Sequence, residues 1–187
     1  LVPDHVAASE SDPKVDPRFT LETEGSPSAS IIDGVYRIAT THNETLKQHR
    51  AVSFSVNRGG AVEAGVRITS FKPRTRTGVY LILDDVNTAY SLTFVDTAMG
   101  KFAVLSYRDD FGGFKEVISR EGKSYSFPCD WTKFHTYRIE KLPFAGVQVF
   151  FDSELDPKIV FPEVKVPQLP DEQFDGFPSI GFGHFTG

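Results

Sequence analysis

The stretch WTKFHTYRIEKLPFAGVQVFFDSEL, residues 131–155, decides the fold. Two runs of strand length flank the turn signal Pro143-Phe144-Ala145-Gly146, and each alternates with period two. Tyr137 and Ile139 alternate with Arg138 and Glu140, while Val147, Val149 and Phe151 alternate with Gln148 and Asp152. A helical face needs apolar side chains three and four residues apart, whereas a strand needs them two apart. The stretch therefore predicts a hairpin with one apolar face. His135 keeps step with Tyr137 and Ile139, so it reads as a packed histidine, and an apparent reactive cluster becomes a framework hairpin.

The same pattern runs along the chain. IIDGVYRIATT, AVSFSV, AVEAGVRITSF, GVYLILDD, AYSLTFVD, KFAVLSY, FKEVISR and SIGFGHF all have strand length and composition. The segments between them are rich in Gly, Asn and Asp, which supply or tolerate positive φ or bond their own backbone. Alternation assigns faces. Ala64, Val66 and Ile68 oppose Glu63, Arg67 and Thr69; Tyr90, Leu92 and Phe94 oppose Ser91, Thr93 and Val95. No segment holds a helical stripe over three turns; THNETLKQHR, residues 41–50, comes nearest to one. The expectation is an all-β chain of roughly ten to twelve strands, an antiparallel two-sheet β-sandwich or jelly roll. Residues 1–18 carry three prolines without a period and read as an N-terminal arm or linker, leaving 19–187 as a single sandwich domain. The three prolines of residues 165–178 read as a long connection before the last strand, as Greek-key wiring requires.

Composition narrows the function. A net charge of −5 and a pI near 5.5 argue against a broad nucleic-acid or anionic-membrane surface. No run approaches the roughly 18 apolar residues of a membrane span. The chain begins at Leu1 rather than Met, which fits a mature secreted chain or a module of a longer one, so the predicted location is secreted, extracellular or periplasmic. Cys129 stands alone, which rules out an internal disulfide and a paired-cysteine metal knuckle and suits a buried small hydrophobe.

At this point IIDGVYRIATT, the 131–155 hairpin and the closing SIGFGHF together resemble the concanavalin A-like lectin/glucanase superfamily, including its laminin G-like and pentraxin-like sandwiches. The resemblance implies the jelly roll and a choice among binding modules, glycosidases and lyases. Departures bear on that choice. The usual Asp-Gly turn is Asp152-Ser153-Glu154 here, and the catalytic phrases of the laminarinase-type glucanases and alginate lyases are absent, as is the legume-lectin metal loop.

The residues offer several candidate chemistries. Glycoside hydrolysis needs two facing carboxyl groups. The pairs Glu22/Glu24, Asp84/Asp85, Asp109/Asp110 and Glu154/Asp156 read more simply as solvated edges and turns. Asp84-Asp85-Val86-Asn87 and Asp109-Asp110-Phe111-Gly112-Gly113 are oxygen-rich turns that could take Ca²⁺ or serve only as Asx turns. The histidines share no zinc spacing, and no nucleophile-elbow motif occurs. Lys72, Arg74 and Arg76 could grip an anionic glycan or simply form a solvated tip. A saccharide site needs only an aromatic face and a few polar groups. Glu63, Arg67 and Thr69, then Tyr80 and Asp84, then Ser91 and Thr93, with Tyr107 and Arg108 at the flank, would supply it if their strands are neighbours. The expected function is a non-catalytic carbohydrate-binding, lectin-like module for a glycan or polysaccharide, needing no cofactor except a possible Ca²⁺. The alternatives are a glycosidase or polysaccharide lyase, and a structural or adhesion module that binds protein.

Overall fold

The computed structural model describes residues 20–32, 35–39, 45–51, 59–69, 78–84, 89–108, 114–118, 121–142, 146–162 and 179–185. The arm 1–18, the basic loop 72–77, the acidic turn 109–113 and the connection 165–178 lie outside them.

Among the described residues there are fourteen strands and no helix. They are β1 (Thr20–Glu24), β2 (Ser28–Ile32), β3 (Val35–Ala39), β4 (Thr45–Ala51), β5 (Gly60–Val66), β6 (Gly78–Asp84) and β7 (Ala89–Thr97). Then follow β8 (Gly100–Arg108), β9 (Phe114–Glu116), β10 (Ser126–Pro128), β11 (His135–Lys141), β12 (Val147–Phe151), β13 (Ile159–Phe161) and β14 (Ser179–Phe185). An eight-stranded antiparallel sheet runs β1-β4-β14-β6-β7-β8-β10, with β9 also on β8. A four-stranded antiparallel sheet runs β13-β12-β11-β5, and β2 and β3 form a separate pair. The last described strand, β14, inserts between β4 and β6, in the middle of the large sheet.

The decisive hairpin forms as expected. Tyr137 lies opposite Phe151 and Ile139 opposite Val149, with both pairs facing inward. At the open end of the hairpin, just past β12, Asp152 has φ of 52°, a left-handed conformation that Asp tolerates better than most residues. Two expectations change. Residues 45–50 of the nearest helical candidate belong to strand β4, because pairing with β1 and β14 on both sides outweighs a weak local helical preference. IIDGVYRIATT contributes to two strands, since β2 and β3 pair around Asp33-Gly34, a strong hairpin signal.

The two sheets share one core. Tyr90, Leu92, Phe94 and Leu105 of the large sheet meet Tyr137, Ile139, Val149 and Phe161 of the small one. Phe94 and Tyr137 pack edge to face with centroids 4.9 Å apart, and Tyr90 meets Phe161 at 6.3 Å. Each such ring contributes on the order of 2–3 kcal/mol through burial. Residues 129–134 tie the sheets together: the Cys129 N–H donates to the Lys101 carbonyl, and the Trp131 indole N–H donates to the Val95 carbonyl at 3.3 Å. The Ile68 N–H donates to the Trp131 carbonyl at 2.8 Å, carrying the link to the end of β5.

Candidate functional site

Register sorts the expected site residues. Tyr80 lies opposite Thr93, and Ile82 opposite Ser91. Ser91 in turn lies opposite Ser106 on β8, and Thr93 opposite Val104. Asp84 pairs with Ala89, and continuing the β7–β8 register by one residue sets Arg108 across from Ala89. Partners across a sheet share a face. The register sets the positions of Tyr80, Asp84 and Arg108 in phase with Ser91 and Thr93 across three adjacent strands, and Ser91 and Thr93 lie on the face opposite the core that Leu92 and Leu105 enter.

The other expected residues go elsewhere. Strand β5 belongs to the four-stranded sheet, so Glu63 faces outward on the opposite side of the sandwich. Arg67 and Thr69 follow the end of that strand, and all three are exposed. Tyr107 sits one position out of phase with Ser106 and packs against the core. The structure thus brings five of the nine together and separates Glu63, Arg67, Thr69 and Tyr107 from them.

At the centre of this face the small hydroxyl side chains are occluded. Ser91 is 0% exposed and Ser106 6%, although both point away from the shared core. The Ser91 hydroxyl has no hydrogen-bond partner among the described residues. Thr93 is half-buried, and its hydroxyl donates to the Val104 carbonyl at 3.4 Å. An ordinary solvent-washed sheet face would expose these hydroxyls. Ser106 was not anticipated from sequence; its signal was the alternation of β8, which sets it in phase with Arg108.

Asp84 ends β6 and Arg108 ends β8, at the same end of the sheet; the rest of the two oxygen-rich turns, residues 85–87 and 109–113, lies outside the described residues. Among the described residues, no three His, Cys, Asp or Glu side chains converge on a metal position.

Other titratable groups serve the framework. The His135 Nδ1 lies 3.0 Å from the Asp152 carboxylate, and the imidazole stacks on Phe151 at 4.6 Å, the packed role expected of it. Partial burial pushes the Asp152 carboxyl upward, but the Thr136 N–H and His135 together outweigh this and hold it below the usual carboxylate value. Burial pushes the Cys129 thiol up, an inert setting. Loss of solvation lowers the Lys141 ammonium at the inner end of β11. Glu154 of the Glu154/Asp156 pair is held by Lys158 at 2.6 Å.

No protein-family model matches the chain, and neither does any curated protein sequence. Solved structures do. The carbohydrate recognition domain of Emp46p, in a tyrosine-to-phenylalanine mutant, superposes with a TM-score of 0.58 at 13% identity, covering 97% of this chain and 87% of that one. Its metal-free form gives 0.57 at 13% identity, with coverage of 97% and 87%. The potassium-bound form gives 0.55 at 13% identity, with coverage of 96% and 86%. The fold is a lectin-type β-sandwich. Identity this low leaves the ligand to be argued from the chain's own residues.

Proposed function

We propose that this chain is a carbohydrate-binding, lectin-like module that meets its glycan on the outer face of the eight-stranded sheet, across β6, β7 and β8. One observation carries the reading: that face holds a polar strip, with buried Ser91 and Ser106 beside half-buried Thr93, where a plain sheet would be solvated. Hydroxyls flanked by the positions of Tyr80, Asp84 and Arg108 suit a ligand made of hydroxyl groups and weakly apolar rings. The likeness to carbohydrate recognition domains supports the architecture for such a role. A secreted or cell-surface setting belongs to the same reading. So does a Ca²⁺ taken by the oxygen-rich sequences 84–87 and 109–110, where it would offer open coordination positions to sugar hydroxyls.

The test is a broad glycan array probed with the intact chain, with calcium and with chelator, at concentrations that detect millimolar binding. Binding should appear and fall about tenfold or more in Tyr80→Ala and Asp84→Ala, the loss expected for a contact worth more than about 1.4 kcal/mol. Silence across the array, or binding unchanged in both variants, refutes the proposal.

A further inference from the structure

Where β5 ends, the Arg67 guanidinium carbon lies 4.9 Å from the centroid of the Phe134 ring. Phe134 is 49% exposed, unusual for so large an apolar side chain on a fixed segment. The segment is fixed from three directions: the Trp131 carbonyl accepts from the Ile68 N–H, the Trp131 indole binds Val95, and the Lys133 N–H donates to the Asp130 carbonyl at 3.0 Å. Ring and guanidinium are thereby presented together on a braced surface.

Arg67 differs from its cationic neighbours. Lys133 reaches Asp130 at 3.3 Å, Arg138 reaches Glu140 at 3.6 Å and Lys158 reaches Glu154 at 2.6 Å. Arg67 has no carboxylate partner among the described residues; its recorded contact is the aromatic ring. A guanidinium stacked by its face keeps the N–H donors of its edge free, and their planar fork matches a carboxylate with two parallel hydrogen bonds. The sequence reinforces the charge. Between Glu63 and Asp84 there is no acidic residue, but there are Arg67, Lys72, Arg74 and Arg76. In a chain of net charge −5 this is a stretch of sequence whose only charges are positive.

We propose that the Arg67–Phe134 pair is a second saccharide contact, distinct from the polar strip on the eight-stranded sheet, and that it selects the uronate units of an acidic polysaccharide. A uronate combines a planar carboxylate with a pyranose ring that has an apolar face, the two features that guanidinium and phenyl ring complement, while exposed Thr69 adds a hydroxyl. The proposal rests on the carbohydrate-binding reading above and adds the ligand's charge.

The experiment titrates the intact chain with a linear oligogalacturonate, its carboxyl-reduced neutral counterpart and a short DNA duplex, using calorimetry. The oligogalacturonate should bind, and Arg67→Lys and Phe134→Ala should each weaken it about tenfold, the size of one charge-assisted hydrogen bond or one stacking contact. Arg67→Lys keeps the charge at an exposed position, so it separates fork geometry from net charge without disturbing the fold. Carboxyl reduction should cost at least about tenfold as well. Unchanged binding in both variants, equal affinity for the reduced oligomer, or equal affinity for DNA overturns the inference. Neutral glycans bound on the array without any response to oligogalacturonate overturn it too, yet leave the lectin-like reading standing. Failure of every saccharide removes both.

Discussion

Gly146 is the position where this fold has no room for a side chain. A Cβ built there would lie 1.6 Å from the carbonyl oxygen of Phe161, 2.6 Å from its carbon and 2.8 Å from the carbonyl carbon of Pro162. All three are backbone atoms, so no rotamer change relieves the clash. Unstrained contacts need roughly 3.5 Å, so Gly146→Ala must push the end of β13 away from β12 by about 2 Å. The pairing of Val147 with Phe161 is at that point, and Phe161 is packed against Tyr90 and Tyr125. Parting the strands loses hydrogen bonding worth about 1 kcal/mol and part of the roughly 2–3 kcal/mol from burying a phenylalanine. Residual strain adds about 1–3 kcal/mol. The expected loss is therefore about 3–5 kcal/mol, against a total of roughly 5–15 for a domain. Urea unfolding followed by the fluorescence of the single, buried Trp131 measures it. With a slope near 2 kcal/mol per molar, the midpoint should fall by about 2 M. Gly65→Ala is the matched control: nothing lies within 4 Å of its added Cβ, and β5 should tolerate or mildly favour the change. A Gly146→Ala loss below about 1 kcal/mol would refute the reasoning, by showing that β13 can shift without leaving the core.

Two further predictions follow from polar groups at the hairpin. Asp152 is held below its ordinary value, so its contribution is complete above the unfolded value near 4 and disappears as pH falls through the lowered folded value. Asp152→Asn should therefore lower the unfolding midpoint at pH 7, with the gap to the native chain narrowing between about pH 5 and 2; a gap constant with pH contradicts this. The Tyr137 hydroxyl is buried beside the Cys129 thiol without a well-formed hydrogen bond, since thiols are weak partners. Tyr137→Phe removes an unsatisfied group at nearly constant shape and should change stability by less than about 1 kcal/mol in urea unfolding, where a loss above 2 would reveal a bond the geometry does not show.

The architecture was legible because alternation in strands such as β5, β7, β11 and β12 is enforced by a core on one side. Ile139 cannot leave the interior without exposing its neighbours Val62 and Val149, so its period survives in the sequence. Residues 41–50 misled for the opposite reason. β4 lies between two partners in the sheet, and its placement is decided by β1 and β14 rather than by its own propensity. Nothing within ten residues could report that. The β2–β3 pair shows a middle case, in which a local turn signal was present but was absorbed into one long run.

The candidate site was harder to read because period two reports which residues share a face, but neither which sheet a strand joins nor what lies over the face. Strands β5, β6 and β7 are consecutive in the chain, and their polar residues look alike on paper. Yet β5 pairs with β11 and not with β6, so the chain crosses the sandwich after Val66. Glu63 and Arg67 then look away from Tyr80 and Thr93, and one small glycan cannot touch both groups. Ser91 shows the second gap. Its alternation correctly set it opposite Leu92, but a solvated serine and a buried one have the same sequence signature. The burial of Ser91 and Ser106 comes from the tertiary surroundings of β7 and β8, which no local pattern reports. Likewise, Phe134 is separated from Arg67 by 67 residues and joins it because β5 pairs with β11, with Val66 opposite His135, and the Ile68–Trp131 hydrogen bond continues that link.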